Sequence, residues 1–331
     1  HLYSYRWHTR SQSVGQFKKQ AKISKVVRRA FLQHFMERHW PQARGMQEPL
    51  RPNPHGACVI RTQGRRLEFL EEAVRSVLQQ TVKMTPCLVV HADRGIFDTV
   101  SRWSERFGGR VEILHAEIAT RRRGYPLNVG LDYLETAADR FDFFCVLDDD
   151  VIFYPMFAER LVAALDISGA DIAYCTTNSR IPGQQTKIAH PPLPTAALVC
   201  GNFIPINAYI VRTALLVRSG ARLREDIHYL EDWDFLLSLM HAGARFTLLN
   251  ETLSEFRIIG DGNLEQKQDP EHFAHCQRVV TIRGALAAQT YGMDRFYRDM
   301  MDFVFSVRPP LTGCDLGQLQ RAQDVFGAVN P

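Results

Sequence analysis

The sequence has no CxxC pair, no internal repeat, no low-complexity tract and no apolar run long enough to cross a bilayer. Its seven cysteines, at 58, 87, 145, 175, 200, 276 and 314, are odd in number and scattered. That spacing excludes a disulfide framework or a zinc ribbon and points to a reducing compartment. Cys58, Cys87, Cys145 and Cys175 sit in or beside apolar runs, where a free thiol behaves as a small hydrophobe. The longest stretch without Asp, Glu, Lys or Arg, 188–211, is broken by Pro191, Pro192, Pro194 and Pro205 and does not suit a bilayer helix. No secretory signal is seen, and the first residue is His1 rather than Met, as in a piece of a longer protein. The expected location is cytoplasmic.

What is present is ordinary globular material: 331 residues, 45% hydrophobic and 23% charged. This suffices for one large domain or two modest ones, and it argues against disorder, collagen or coiled coil. The net charge of +4 hides an asymmetry, because residues 1–51 hold 11 Lys/Arg against 2 Asp/Glu. Within that leader, 17–40 lack Pro and Gly, and Ile23, Val27, Ala30, Phe31 and His34 recur at helical spacing among Lys18, Lys19, Lys22, Lys25, Arg28 and Arg29. Two readings of this basic amphipathic helix stand: docking on the body or a neighbouring domain, or contact with an anionic membrane at its inner face. No aromatic-interleaved or zinc motif accompanies the charge, so a nucleic-acid partner is not expected. Residues 1–52 are read as leader and proline-rich linker.

From residue 53 to 265 short apolar runs alternate with helical patterns. The runs are 57–61, 87–91, 111–116, 143–147 and 171–175, and the helices fall at 67–79, 97–107, 127–138 and 156–165. Such alternation predicts an α/β fold with a mainly parallel sheet sandwiched by helices. Ligands of these sheets bind beyond the carboxyl ends of the strands. From Pro270 onward the pattern is helical, with Phe273, Val279, Val280 and Ile282 on one apolar face and Phe296, Met300, Met301, Phe303 and Val304 on another. Residues 266–331 are read as a C-terminal helical extension packed on the sheet domain or on a neighbour.

Three features carry chemistry. Asp148-Asp149-Asp150 directly follows the run "FFCVL". Adjacent carboxylates repel, and a divalent cation, which typically takes one or two carboxylates plus substrate phosphates, would compensate them; a solvated acidic turn before the next helix is the competing reading. In an extended chain Asp148 and Asp150 would share a side. Glu231, Asp232 and Asp234 lie at the start of a helix bearing Leu236, Leu237 and Met240. They could satisfy free N–H groups there, or one could serve as a general base. "RRRGYPLNVGL" (121–131) sets arginines before a helix with Asn128 and Gly130, which suits phosphate or is simply a charged loop.

Taken in order, these features resemble the GT-A fold glycosyltransferases, specifically the inverting family 2 enzymes, over about residues 56–262. "RTQGRRLEFLEEAVRSVLQQT" (61–81), "RGYPLNVGL", "VLDDDV", "GNFIPINAYIVRTALL" (201–216) and "LEDWDFLLSLMHAG" are similar to that family's segments and stand in its order. The resemblance implies transfer of a sugar from a nucleoside-diphosphate sugar to a hydroxyl of a glycan or lipid-linked glycan, of the cell-surface polysaccharide type. Thr62, Asp93, Arg123, Asn128, Asp148 and Asp149 would then serve the nucleotide sugar. Asp150, with Asp148, would hold Mn²⁺ or Mg²⁺. Asp232 would be the base, helped by Glu231, and Trp233 and Asn202 would face the acceptor or sugar. The late "YRxH"-like sequence of many relatives is replaced by "FRIIGDGN" (256–263), without the His, and His272 with His275 are weaker candidates for the missing ligand. The stretch 176–195 is expected to be a lid. Two rivals remain: a nucleotidyltransferase, disfavoured by the single Gly of "RTQGRR", and a non-catalytic GT-A binding module of a larger assembly, which would not need both acidic motifs.

Overall fold

The computed structural model describes residues 49–117, 123–181, 183–190, 192–258, 269–306, 321–325 and 328. The basic leader (17–40) lies outside the described residues, as do Arg121, Arg122 and most of the 256–263 segment.

The chain opens with strand β1 (Gly56–Thr62), helix α1 (Leu67–Leu78), strand β2 (Met84–His91), helix α2 (Arg94–Ser104), strand β3 (Glu112–Ala116), helix α3 (Gly124–Thr136) and strand β4 (Phe143–Asp148). β2 pairs with β1 and β3, and β1 with β4, all in parallel. Strand side chains alternate in direction, and here both directions are apolar. Ala57 and Val59 join one buried cluster while Cys58 and Ile60 join the other, so each face of the sheet carries its own core. Burying a side chain the size of Val59 or Ile60 contributes about 1.5–3 kcal/mol. α1 covers one face with Leu70, Ala73, Val74 and Val77. α3 covers the other and comes very close, because a Cβ on Gly130 would stand 2.4 Å from Val59.

Beyond β4 follow strand β5 (Val151–Phe153), helix α4 (Phe157–Ser168), strand β6 (Ile172–Arg180), strand β7 (Lys187–Ile188), strand β8 (Tyr209–Arg212) and helix α5 (Thr213–Ser219). Helix α6 (Glu231–His241), strand β9 (Phe246–Arg257) and the helical segment α7 (Pro270–Ser306), interrupted at Gly292, complete the described fold. The sheet order is β3-β2-β1-β4-β8-β6-β9-β5, with β7 paired to β6. β8 is antiparallel to both β4 and β6, so β6 regains the direction of β4, and β9 runs parallel to β6. Six of the nine strands therefore point the same way, as a mainly parallel sheet requires.

Three details depart from the sequence expectation. The fifth run continues to Arg180 because β9, which the apolar pattern does not announce, pairs with it as far as Arg257. Residues 176–180 are consequently strand rather than lid, and 187–188 fold back on them as β7. In α7, Cys276, Val280, Ala287, Ala288, Tyr291 and Phe296 join the main core, whereas Ile282 is 65% exposed and does not pack. Among the described residues no helix is long and apolar enough to cross a membrane.

Candidate active site

The carboxyl ends of β1 and β4 and the start of α6 bring the acidic motifs together around Arg61, Arg66 and Arg123. Asp148 is the last residue of β4, and the chain turns at Asp149 and Asp150 before β5. This turn breaks the extended alternation. Asp149 and Asp150 share one ion-pair partner and Asp148 has another, while Asp148 and Asp150 are near enough for their charges to repel.

That other partner is Arg61, beside Asp148 in the β1–β4 register. Its guanidinium makes a two-bond fork with Asp148, Nε to Oδ1 and Nη2 to Oδ2, the latter at 3.1 Å. Its Nη1 donates to the Arg123 carbonyl at 3.1 Å and lies 3.5 Å from Glu231 Oε1. Burial alone would raise the pKa of Asp148, but the charge and hydrogen bonds of Arg61 overcome it and leave the carboxyl below its ordinary value. Arg66 takes the rest of the turn, pairing Nη2 with Asp149 and Nη1 with Asp150 Oδ2 at 3.0 Å. Thr62, buried at the end of β1, donates its hydroxyl to Asp149 Oδ2 at 2.8 Å. Burial pushes Asp149 and Asp150 above the ordinary carboxylate value, with repulsion from Asp148 adding to both. One guanidinium does not fully compensate two carboxylates in that setting.

The shortage of positive charge at the turn bears on a divalent cation. Asp150 fits one: it is a hard oxygen donor, partly exposed, and among the described residues its ion-pair partner is the half-exposed Arg66. Asp148 fits less well as a metal ligand, since both of its oxygens are engaged by Arg61. Among the described residues no three His, Cys, Asp or Glu side chains form a ready metal cage. Such a donor set suits a cation whose shell substrate phosphates and water complete. His272 and His275 have ring centroids 6.2 Å apart, and His272 packs on His228 and Tyr229 and meets Cys276 within its own helix.

α6 begins from Leu230, a non-glycine residue at φ 64, a conformation that costs on the order of 1–3 kcal/mol and clusters at functional sites. Glu231 follows, buried, with Oε1 3.3 Å from Arg123 Nε. Burial, then the neighbouring Asp232, pushes its pKa up against the pull of Arg123 and Arg61. Asp232 is half-buried, and its Oδ1 accepts from the Trp233 N–H at 2.8 Å and from the Asn202 amide at 3.2 Å. His190 lies close enough to sense Asp232: burial lowers its pKa and the carboxylate opposes that.

Two predicted residues do other work, and a third, the exposed Asp93, has a structural role as well. Trp233 is core, not a sugar platform, being 6% exposed with its indole N–H donated to the Leu198 carbonyl at 2.7 Å. α6 is buried on most sides, so Trp233 has no open face to present. Asn128 is buried under α3, where its amide bonds both the N–H and the C=O of Leu223 at 2.9 Å each, and Glu225 as well. Its polar atoms are therefore spent on the 223–225 segment rather than on a diphosphate. Asp93 caps α2, accepting the Ile96 N–H at 3.0 Å. Arg61 and Arg66, by contrast, stand outside the residues to which the motifs assign a role. The signal for Arg61 was a lone charge inside the apolar run "ACVIRT", in a strand buried on both faces.

Residues 58–212 match the model of glycosyl transferase family 2. No curated protein matches the sequence. Among solved structures, S. aureus TarS 1–349 in complex with UDP-GlcNAc is 16% identical, with 84% of this chain and 82% of that one covered, at a TM-score of 0.55. The mannosyltransferase PcManGT from Pyrobaculum calidifontis, in complex with GDP-Man and Mn²⁺, is 13% identical, with 94% and 97% covered, at a TM-score of 0.50. At such identities these likenesses establish the fold.

Proposed function

We propose that the chain, whose residues 58–212 match the glycosyl transferase family 2 model, is a glycosyltransferase that moves a sugar, with inversion, from a nucleoside-diphosphate sugar to a hydroxyl of a glycan or lipid-linked glycan. The observation that carries this reading is the meeting of the Asp148–Asp150 turn and the Glu231–Asp232 helix start around Arg61, at the carboxyl edge of the parallel strands. One acidic group set is needed for the donor side and one carboxylate for the acceptor, and the geometry supports that division.

Asp232 is the base. Among the described residues its two hydrogen-bond donors, the Asn202 amide and the Trp233 N–H, both meet Oδ1, which leaves Oδ2 to take the acceptor's proton. As the proton leaves, the acceptor oxygen forms its bond to the anomeric carbon, and the bond to the diphosphate breaks with its electron pair on the leaving oxygen. A single displacement of this kind needs no covalent sugar–enzyme intermediate, so configuration inverts. Glu231, held between Arg61 and Arg123, positions the start of α6. Arg123, at the entry to α3, would meet the diphosphate, and Thr62, Asp93 and Asp149 would line the nucleotide side. Mn²⁺ or Mg²⁺ held at Asp150 would supply Lewis-acid neutralisation of the departing diphosphate.

The donors carried by the structural neighbours make UDP and GDP sugars the first to test. Release of nucleoside diphosphate and labelled product from one of them supports the reading. A folded protein that binds donor but turns none over, with any of a panel of glycan and lipid-linked acceptors, would make it a binding module instead.

A further inference from the structure

We propose that Arg61 is a positioning residue that acts as a resident cation at Asp148 and ties the acidic turn to the start of α6. The inference rests on the metal and base reading above, and asks which carboxylate the metal leaves alone.

Arg61 is a strand residue whose side chain is only 14% exposed. From there one planar group reaches three elements: both oxygens of Asp148 at the end of β4, Glu231 at the start of α6, and the Arg123 carbonyl just before α3. A guanidinium supplies five donors in a rigid fork and stays charged when buried, whereas an ammonium is a point charge without that shape. Among the described residues Arg61 and Arg123 pair with Asp148 and Glu231, while Arg66 pairs with Asp149 and Asp150. Both oxygens of Asp148 are taken by one guanidinium, whereas Asp150 meets Arg66 through Oδ2. Arg61 thus reserves Asp148 for the protein's own framework and confines a divalent cation to Asp150 and the substrate phosphates.

This arrangement predicts effects of opposite sign on metal affinity and on turnover. Removing the guanidinium frees Asp148 as a second carboxylate, which strengthens metal binding. The same change unties α6, which weakens catalysis. A residue needed only for folding would weaken both.

The test uses the full chain as wild type, Arg61→Met, Arg61→Lys and Asp150→Ala. MnCl₂ is titrated calorimetrically in the presence of UDP or GDP, and donor turnover gives kcat and KM. For Arg61→Met the expected result is Mn²⁺ affinity raised by about tenfold, the scale on which groups around a metal site tune it. Its kcat falls by about a hundredfold, as a misplaced reacting group costs. Unchanged or weaker Mn²⁺ binding in folded Arg61→Met overturns the proposal. Should that variant not fold, Arg61→Lys decides, because it keeps the charge and loses the fork: lowered kcat at wild-type Mn²⁺ affinity is expected, and wild-type kcat overturns the proposal. Asp150→Ala separates the two levels. If it abolishes Mn²⁺ binding while Arg61→Met leaves that binding unchanged, this proposal alone fails; if it leaves Mn²⁺ binding intact, the metal reading itself fails.

Discussion

Asn202 donates its side-chain amide to Asp232 Oδ1 at 3.2 Å, linking the segment before β8 to the first turn of α6. The bond fixes which oxygen of Asp232 faces the protein. An Asp232→Asn variant keeps the shape of the site but loses the proton acceptor. Transfer should fall by about 10²–10⁴-fold, the usual worth of a general base, while nucleotide affinity stays unchanged. Steady-state transfer and nucleotide titration on the same preparation check this, and retained transfer would remove Asp232 from the base role.

Glu231 sits in the opposite balance. Burial raises its pKa, so its charged form is less favourable in the folded than in the unfolded chain. The sign follows from proton linkage: stability associated with the protonated group is present at low pH and lost as pH rises through the raised folded value. A neutral Glu231→Gln should therefore melt no lower than wild type at about pH 7.5, although its turnover falls. Thermal unfolding of the two proteins measures it; a clear drop in melting temperature for the variant would mean that its ion pairs with Arg61 and Arg123 outweigh burial.

Asn128 offers a test of structure against motif. Its amide closes two hydrogen bonds on the Leu223 backbone and a third on Glu225. Asn128→Ala leaves buried backbone groups unpaired and should destabilise the fold by about 1–3 kcal/mol. Below the melting range, nucleotide affinity should match wild type. Denaturant unfolding and titration check both halves, and a specific loss of nucleotide affinity would return Asn128 to the diphosphate.

The fold also carries a pH dependence away from the acidic motifs. His55 bonds Thr85 Oγ1 at 2.8 Å and packs edge-on against Phe141. Burial, then Lys83 and Arg140, pushes its pKa below the ordinary 6.5. The unfolded chain then takes up the proton first as pH falls. Stability should decline from pH 6.5 downward until the lower folded value is reached, with His190, also lowered by burial, contributing in the same direction. Thermal midpoints across this range should slope less in His55→Gln than in wild type; an identical slope would exclude His55 as a contributor.

Much of the architecture was legible because β1 to β4 are short apolar runs separated by amphipathic helices, a pattern that burial on both faces enforces. β9 was not, since "FTLLNETLSEFR" carries Asn250, Glu251 and Glu255, and its partner β6 lies far back in the sequence. Of the site, the acidic turn and the Glu231–Asp232 helix start were legible as chemistry, and the structure brings them together. Their arginines were not, because a motif names what is acidic and not what compensates it. Trp233 and Asn128 show the converse error: each stands in a motif, yet closure of α6 and α3 against the body uses their polar atoms internally.

The central claim, a nucleotide-sugar donor bound through a divalent cation at Asp150, is tested most directly by calorimetric titration of UDP and GDP with and without Mn²⁺. The account predicts metal-dependent binding of one nucleotide by wild type, lost in Asp150→Ala and retained in Asp232→Asn. Binding of neither nucleotide by a folded sample, or binding indifferent to both Mn²⁺ and Asp150→Ala, would contradict it.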